Sequence, residues 1–415
     1  MKKRVLFSFL SGLLCFSMLF TLSGCNSGNG GETETDTETD TESETKAKDT
    51  ATETEELHDE LEYYTSEPLE NLKAGESTTS AKLVSRTYKL KNIDSKLRYI
   101  GRTKLLLGGL LCDHSASGFE VQGFMTGELK MTASSSGDTY YTVFIDGKRV
   151  DKRFHSNKAN VTMTIANFEG NYFHTVKVLK QSESAWSTSV IGQLQLNGVL
   201  FDAPKERELL FEVLGDSLTT GYGNLGVKGE GNAQGGNTPL KQDATQSYGF
   251  LAAEAFNADC NILAWSGVGL DIGWTHAPYT DYYNKFSFHR SDEKNKFGRA
   301  PDLLIIHLGA NDSTNKDTSK EAFIEKGINL INTIRTGYAK EMPVIWAYDP
   351  NEGVPEYVQE ILDHFGGEEK GFYILELEWQ STNENWGASG HPSVKAHEKH
   401  AKILVDFINS KNILA

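Results

Sequence analysis

Four short blocks hold the side chains that do acyl-transfer chemistry: Gly215-Asp216-Ser217, Ser266-Gly267, Gly309-Ala310-Asn311-Asp312 and Gly390-His391-Pro392. Ser217 supplies a nucleophile and His391 a base that can take its proton. A developing oxyanion then needs donors. Gly267 presents its backbone N–H with no side chain in the way, Asn311 carries an amide N–H, and the N–H of Ser217 itself is a third. Asp216 and Asp312 suit loop support, accepting hydrogen bonds from backbone N–H groups.

Each block follows an apolar run. Leu209–Leu214, Asn261–Trp265, Leu303–Leu308, Val344–Tyr348 and Phe372–Leu377 read as strands, with Trp265 inside the second as a core residue. Between them, apolar residues recur at helical spacing: Tyr248 to Phe256, Phe323 to Ile334, Val354 to Phe365 and Val394 to Ile408. Five strands alternating with helices predict a parallel sheet covered on both faces, with the chemistry at the carboxyl ends of its strands. From about residue 80 to 205 the pattern changes to period two, as in Phe119, Val121 and Phe124, in Tyr141–Ile145, in Val161–Ile165, in His174–Val178 and in Ile191–Gln195. Asp146-Gly147 is a hairpin signal. This region reads as a β-sandwich, either a carbohydrate-binding module or a packing partner that forms one wall of a neighbouring site.

Gly-Asp-Ser, the downstream Gly, Gly-x-Asn-Asp and the late His occur in the order of the SGNH (GDSL-type) esterase superfamily, which residues 206–415 resemble. With a β-sandwich ahead of it, including Tyr99-Ile100-Gly101-Arg102-Thr103, the chain is most similar to carbohydrate esterase family 2, whose members deacetylate plant polysaccharides. The resemblance implies a jelly roll over 80–205 and a three-layer α/β domain over 206–415. It implies Ser217 as nucleophile, His391 as base, and Gly267, Asn311 and the Ser217 N–H as the oxyanion hole, with no cofactor and no metal. It departs from the superfamily at Ala388, where an Asp three residues before the His is usual, and at Ser389, where family 2 members often carry Asp. A Ser-His dyad follows, its imidazole oriented by a backbone carbonyl. The substrate expected is acetylated polysaccharide, with Trp386, Trp274 and Tyr222 as aromatic platform. The alternatives are a lipase or thioesterase of the same superfamily, or a noncatalytic carbohydrate-capture protein.

The 415 residues carry a net charge of −16, unevenly placed. Residues 1–24 read as a signal peptide: Lys2, Lys3 and Arg4 precede an apolar run that closes on Leu22-Ser23-Gly24-Cys25, which resembles a bacterial lipobox. Cys25 would be lipidated and hold the exported protein at the cell surface. Residues 26–60 contain 13 acids and two lysines in Glu-Thr-Asp repeats, a composition too poor in apolar surface to fold, and so a tether. The remainder sums to −8 with no basic stripe, which argues against nucleic acid. Cys112 and Cys260 are expected to stay unpaired. Gly221 to Gly226 fits Gly-x-Gly-x-x-Gly but opens a long Gly/Asn-rich loop, with no helix pattern after it. No Gly-x-Ser-x-Gly elbow occurs. His397 and His400 lack acidic ligand spacing, and Glu376 and Glu378 are a nonspecific acid pair.

Overall fold

The computed structural model describes residues 61–231, 238–288, 290–315, 317–350, 353–378 and 382–415. The stretches read as signal peptide and acidic tether, with Cys25 between them, lie outside these residues.

Three long strands dominate the N-terminal β-rich region: β1 (Gly118–Ser135), β2 (Val161–Lys180) and β3 (Ser189–Leu200). With seven shorter strands they form an antiparallel network of ten. β1 lies between β2 and β3, and the register shifts at Met125/Gly127 and at Leu129/Lys130 let so long a strand bend. Alternate residues, among them Phe119, Val121, Met131, Val176, Val178, Ile191 and Leu194, enclose one buried core. Asp146 and Gly147 both have positive φ (52° and 75°), which closes the hairpin between Thr139–Ile145 and Lys148–Arg149 as a primed turn. The two runs read at 161–165 and 174–178 are one 20-residue strand. Gly170, at φ 71°, interrupts the alternation without ending the strand.

Residues 209 onward build the α/β region. Its five parallel strands are β4 (Leu209–Gly215), β5 (Ala258–Ala264), β6 (Leu303–His307), β7 (Val344–Tyr348) and β8 (Phe372–Glu376), in the order β5-β4-β6-β7-β8. Successive residues of each strand enter opposite cores. Val213, Ile262, Ile305 and Ala347 face the core shared with the helices α1 (Tyr248–Ala255) and α4 (Val394–Ser410). Leu214, Leu263, Ile306 and Trp346 face the core shared with α2 (Lys320–Tyr338) and α3 (Pro355–His364). Full burial of each such Leu or Ile contributes roughly 1.5–3 kcal/mol. Two of these helices start at a side-chain cap: Ser319 accepts from Ala322 N–H (3.1 Å) ahead of α2, and Ser393 from Ala396 N–H (3.4 Å) ahead of α4. Trp265 sits one residue beyond β5, half-buried against the second core. Trp265 N–H still donates to the carbonyl of Gly215 (3.2 Å), the last bond of the ladder, and Trp265 O then accepts from Val268 N–H (3.2 Å), which turns the chain out of the sheet.

The two regions share an interior. Ile100, Ala116, Phe144 and Leu179 of the β-rich region join the core under α1 and α4. Across the junction Arg98, itself paired with Glu120, reaches Asp259, Arg149 pairs with Asp243, and Lys177 with Glu254. Cys112 and Cys260 are buried free thiols. Among the described residues no helix is long and apolar enough to cross a membrane.

Candidate active site

β4 ends at Gly215, where a Cβ would stand 2.0 Å from Thr219 Oγ1, so the chain turns tightly there only because no side chain is present. A single helical turn, Ser217–Thr220, follows. Asp216 caps it, accepting from Leu218 N–H at 2.9 Å, and its other oxygen accepts from Asn311 Nδ2 at 2.9 Å. Asp216 is therefore a fully buried brace between the ends of β4 and β6. Ser217 stands at the mouth of that turn, and its Oγ lies 2.9 Å from His391 Nε2. The sequence separates the two by 174 residues.

His391 is held from behind by a carbonyl. Its Nδ1 lies 2.9 Å from the oxygen of Ser389, which can only accept, so Nδ1 carries the proton and Nε2 is left to accept from Ser217. Ser389 adopts a left-handed conformation (φ 55°), and its own N–H donates to Glu230 O at 2.6 Å. Ala388 N–H donates to Gly223 O (2.9 Å) and His391 N–H to Ala388 O (3.2 Å). The Gly/Asn-rich stretch after Ser217 thus acts as the mould for the loop that carries the histidine. Burial holds the imidazole below its usual pKa, and the Ser389 carbonyl offsets part of that shift. The Tyr222 ring packs against it at 4.6 Å between centroids, and Trp186 of the β-rich region stacks beyond Tyr222 at 6.5 Å.

The second and third blocks close the site. Gly267 has φ 83°, and its carbonyl accepts from Trp274 N–H (2.8 Å). The Trp274 indole, 64% exposed, is left beside it. Asn311 is less free than its sequence context suggests, for Nδ2 donates both to Asp216 and to Val268 O (3.0 Å). Asp312 binds the N–H groups of Leu270 (2.7 Å) and Asp271 (2.9 Å), the loop-bracing role its position implied. Trp386 is half-buried under the Lys228 ammonium, 5.7 Å from its ring centre, and bridges to Pro392. The hydrogen bonds of His397 and His400 go elsewhere: the first accepts from Tyr248 N–H (3.3 Å), the second contacts Glu378 O (2.6 Å). Glu376 accepts from Tyr348 O–H (2.8 Å) at the end of β8.

Sequence reasoning missed Glu183, Trp186 and Gln242, all against this site. Gln242 Oε1 accepts from Trp186 Nε1 (2.7 Å), and its Nε2 donates to Thr220 O (3.1 Å). None belongs to a spaced motif, and their partners are far away in the chain.

Residues 99–204 match the family described as Carbohydrate esterase 2 N-terminal, and residues 211–404 match GDSL-like Lipase/Acylhydrolase. The chain is homologous to the family 2 carbohydrate esterases. Cellulase/esterase CelE of Acetivibrio thermocellus is 27% identical over 73% of this chain, which spans 38% of that protein's length. An acetylxylan esterase / glucomannan deacetylase of Cellvibrio japonicus is 26% identical over 61% of this chain and 71% of its own. Among solved structures, a family two carbohydrate esterase from Clostridium thermocellum in complex with cellohexaose superposes with a TM-score of 0.70 at 25% identity, covering 77% of this chain and all of that one. An acetyl xylan esterase from Butyrivibrio proteoclasticus, 20% identical, shares the fold (TM-score 0.67, covering 79% of this chain and 99% of its own). The family 2 pairing of a β-rich domain with an SGNH domain is therefore the architecture of this chain as well.

Proposed function

We propose that the protein is a serine esterase that removes O-acetyl groups from polysaccharide. The observation that carries this reading is the 2.9 Å contact of Ser217 Oγ with an imidazole whose other nitrogen is fixed by a carbonyl. Ser217 Oγ attacks the acetyl carbonyl carbon while its proton passes to His391 Nε2. The tetrahedral oxyanion is met by the N–H groups of Ser217 and Gly267. Asn311 joins them by giving up its bond to Val268 O, since its amide nitrogen already serves two acceptors. The bond to the sugar oxygen breaks and the imidazolium returns the proton to that oxygen, leaving acetyl-Ser217. Water then attacks the acetyl carbonyl with His391 again as base, the bond to Ser217 Oγ breaks, the imidazolium returns the proton to that oxygen, and acetate leaves. No step calls for a cofactor. Trp274 and Trp386 suit a sugar platform beside the cleft, and Tyr222 steadies the ring of His391.

Ser217→Ala and His391→Ala, assayed on 4-nitrophenyl acetate and on acetylated xylan and glucomannan, are expected to lower kcat by about 10⁴-fold or more. Either variant retaining near-wild-type kcat defeats the assignment, and faster turnover of long acyl chains than of acetate replaces it with a lipase.

The same proposal places the enzyme at the cell surface through lipid on Cys25. Cys25→Ala should move the protein from the membrane pellet to the soluble fraction, and a variant still pelleting with membranes refutes the anchor.

A further inference from the structure

We infer that Glu183, contributed by the β-rich region, is a positioning residue for the oxyanion hole, fixing the direction of the Gly267 N–H through Ser266. This rests on the esterase reading, in which that N–H is an oxyanion donor. Glu183 lies in the connection from β2 to β3 and is fully buried. Its Oε2 accepts from Ser266 N–H at 2.7 Å and its Oε1 from Ser266 Oγ–H at 2.6 Å, with Gln242 Nε2 adding a weaker bond at 3.3 Å. The two short bonds hold both the backbone and the side chain of one residue, and the next N–H along the chain is that of Gly267. On the far side, the Gly267 carbonyl is held by Trp274 N–H at 2.8 Å. The Ser266–Gly267 peptide is thus fixed at both ends, and one of the two clamps belongs to the other region.

An acid is an expensive choice for interface packing. Burying a carboxylate costs several kcal/mol before its hydrogen bonds are counted. The chain supports this one from below. The fully buried Lys180 ammonium donates to the carbonyls of Asp113 (3.0 Å), Ser182 (2.6 Å) and Glu183 itself (3.0 Å), so the backbone carrying the carboxylate cannot drift. Gln242 extends the same network to the carbonyl of Thr220, at the end of the turn that begins with Ser217 (3.1 Å). A plain packing contact has no need of a charged acceptor aimed at the residue before a catalytic glycine. An oxyanion donor does need a fixed direction, because it acts only if it points where charge develops and requires no reorganisation at that moment.

The test is a kinetic series on full-length protein with 4-nitrophenyl acetate and the tetrahedral mimic methylboronic acid. Glu183→Ala should lower kcat about 10²-fold, in the range for an oxyanion donor lost or misdirected. KM should stay within about threefold, and Ki for the boronic acid should rise in step with the loss in kcat. Glu183→Gln should recover at least about tenfold of kcat, because the amide oxygen still accepts from Ser266 N–H while the Ser266 hydroxyl turns to accept from the amide nitrogen. If Glu183→Ala does not fold, Glu183→Asp, which withdraws the carboxylate by one methylene, should lower kcat about tenfold at unchanged KM. A folded Ala or Asp variant whose kcat stays within threefold of wild type overturns the inference. So does a loss expressed in KM with boronic acid affinity intact. Ser217→Ala run alongside separates the two levels: if it is active, the esterase reading has failed, and if it is inactive while Glu183 variants match wild type, only the role of Glu183 has.

Discussion

The loop that carries His391 has no room for the acid that a triad would use, and Ala388→Asp measures this. Ala388 occupies the position where SGNH relatives place an Asp, and it is fully buried. A Cβ on Gly226 would come within 2.5 Å of the Ala388 Cβ, and one on Gly223 within 3.3 Å. A carboxyl group added there must push the Gly223–Gly226 stretch aside, and overpacking of this kind costs about 1–3 kcal/mol. Desolvating the new charge adds several more unless it finds a donor. A loss of at least about 3 kcal/mol, at ~2 °C per kcal/mol for a protein of this size, lowers Tm by roughly 6 °C or more. The displaced stretch includes the carbonyl that receives Ala388 N–H, so Ser389 O moves off His391 Nδ1 and the ring loses its orientation. We expect kcat to fall about 10²-fold, short of the ~10⁴ that a triad histidine loses when its acid is neutralised. Thermal melts and 4-nitrophenyl acetate kinetics on the same preparation decide. A variant with wild-type Tm and kcat equal to or above wild type refutes the packing argument and shows that the loop accepts a triad.

Glu384→Gln should leave kcat within threefold, because its carboxylate is exposed and paired with Lys395 at 2.9 Å; a loss near 10⁴ would show that an acid does support His391. Burial lowers the His391 pKa, and the base works only when neutral, so the acidic limb of kcat/KM should have its midpoint below the ordinary imidazole value of about 6.5. A midpoint at or above that value contradicts the burial. Asn311→Asp keeps the shape but turns a donor toward Asp216 and Val268 O into a third acceptor, so it should destabilise by more than Asn311→Ala, by about 1–3 kcal/mol or above, in denaturant titrations. His114, fully buried between the two regions with Nε2 on Phe286 O (2.8 Å), is pushed down to about 4, first by burial. The unfolded chain takes up its proton near pH 6.5 and the folded one does not, so stability falls across that window, by about 2 kcal/mol at pH 5. His114→Gln should flatten the difference between pH 7 and pH 5, and an unchanged difference rules His114 out as its source.

The parts of this molecule that are legible in the sequence are those in which residue type and neighbourhood are local. The five parallel strands declare themselves as apolar runs; the blocks of Ser217, Gly267 and Asn311 stand directly past three of them and that of His391 just ahead of the last helical run, so these four residues can be located without any geometry. Asp146-Gly147 announces its hairpin because few residue pairs tolerate two positive φ values. The strand Val161–Lys180 reads as two because polar residues around Gly170 break the alternation, and nothing in a sequence distinguishes an interrupted strand from a pair. Trp265 reads as the last residue of its strand yet lies one residue beyond it, since strand ends are set by where the chain turns rather than by hydrophobicity.

What the sequence hides is the support beneath those residues. An imidazole can be oriented by an acid, which has a letter, or by a carbonyl, which every residue carries; the missing Asp at 388 points to a carbonyl, but the left-handed Ser389 that supplies it appears only once the chain is folded. Glu183 is the sharper case. It lies 83 residues from Ser266, in a different region of the chain, within a Ser-Glu-Ser stretch that suggests an exposed turn, yet it is one of the most deeply buried acids in the protein. Its burial is tolerable only because Lys180, Ser266 and Gln242 arrive around it, and of the three only Ser266 stands in a block that the sequence marks. In the esterase proposed here, the nucleophile, the base and the glycine are recognisable from residue type and order. The groups that aim them belong to the packing of this chain, which is why the β-rich region is better understood as part of the active site's frame than as an independent N-terminal module.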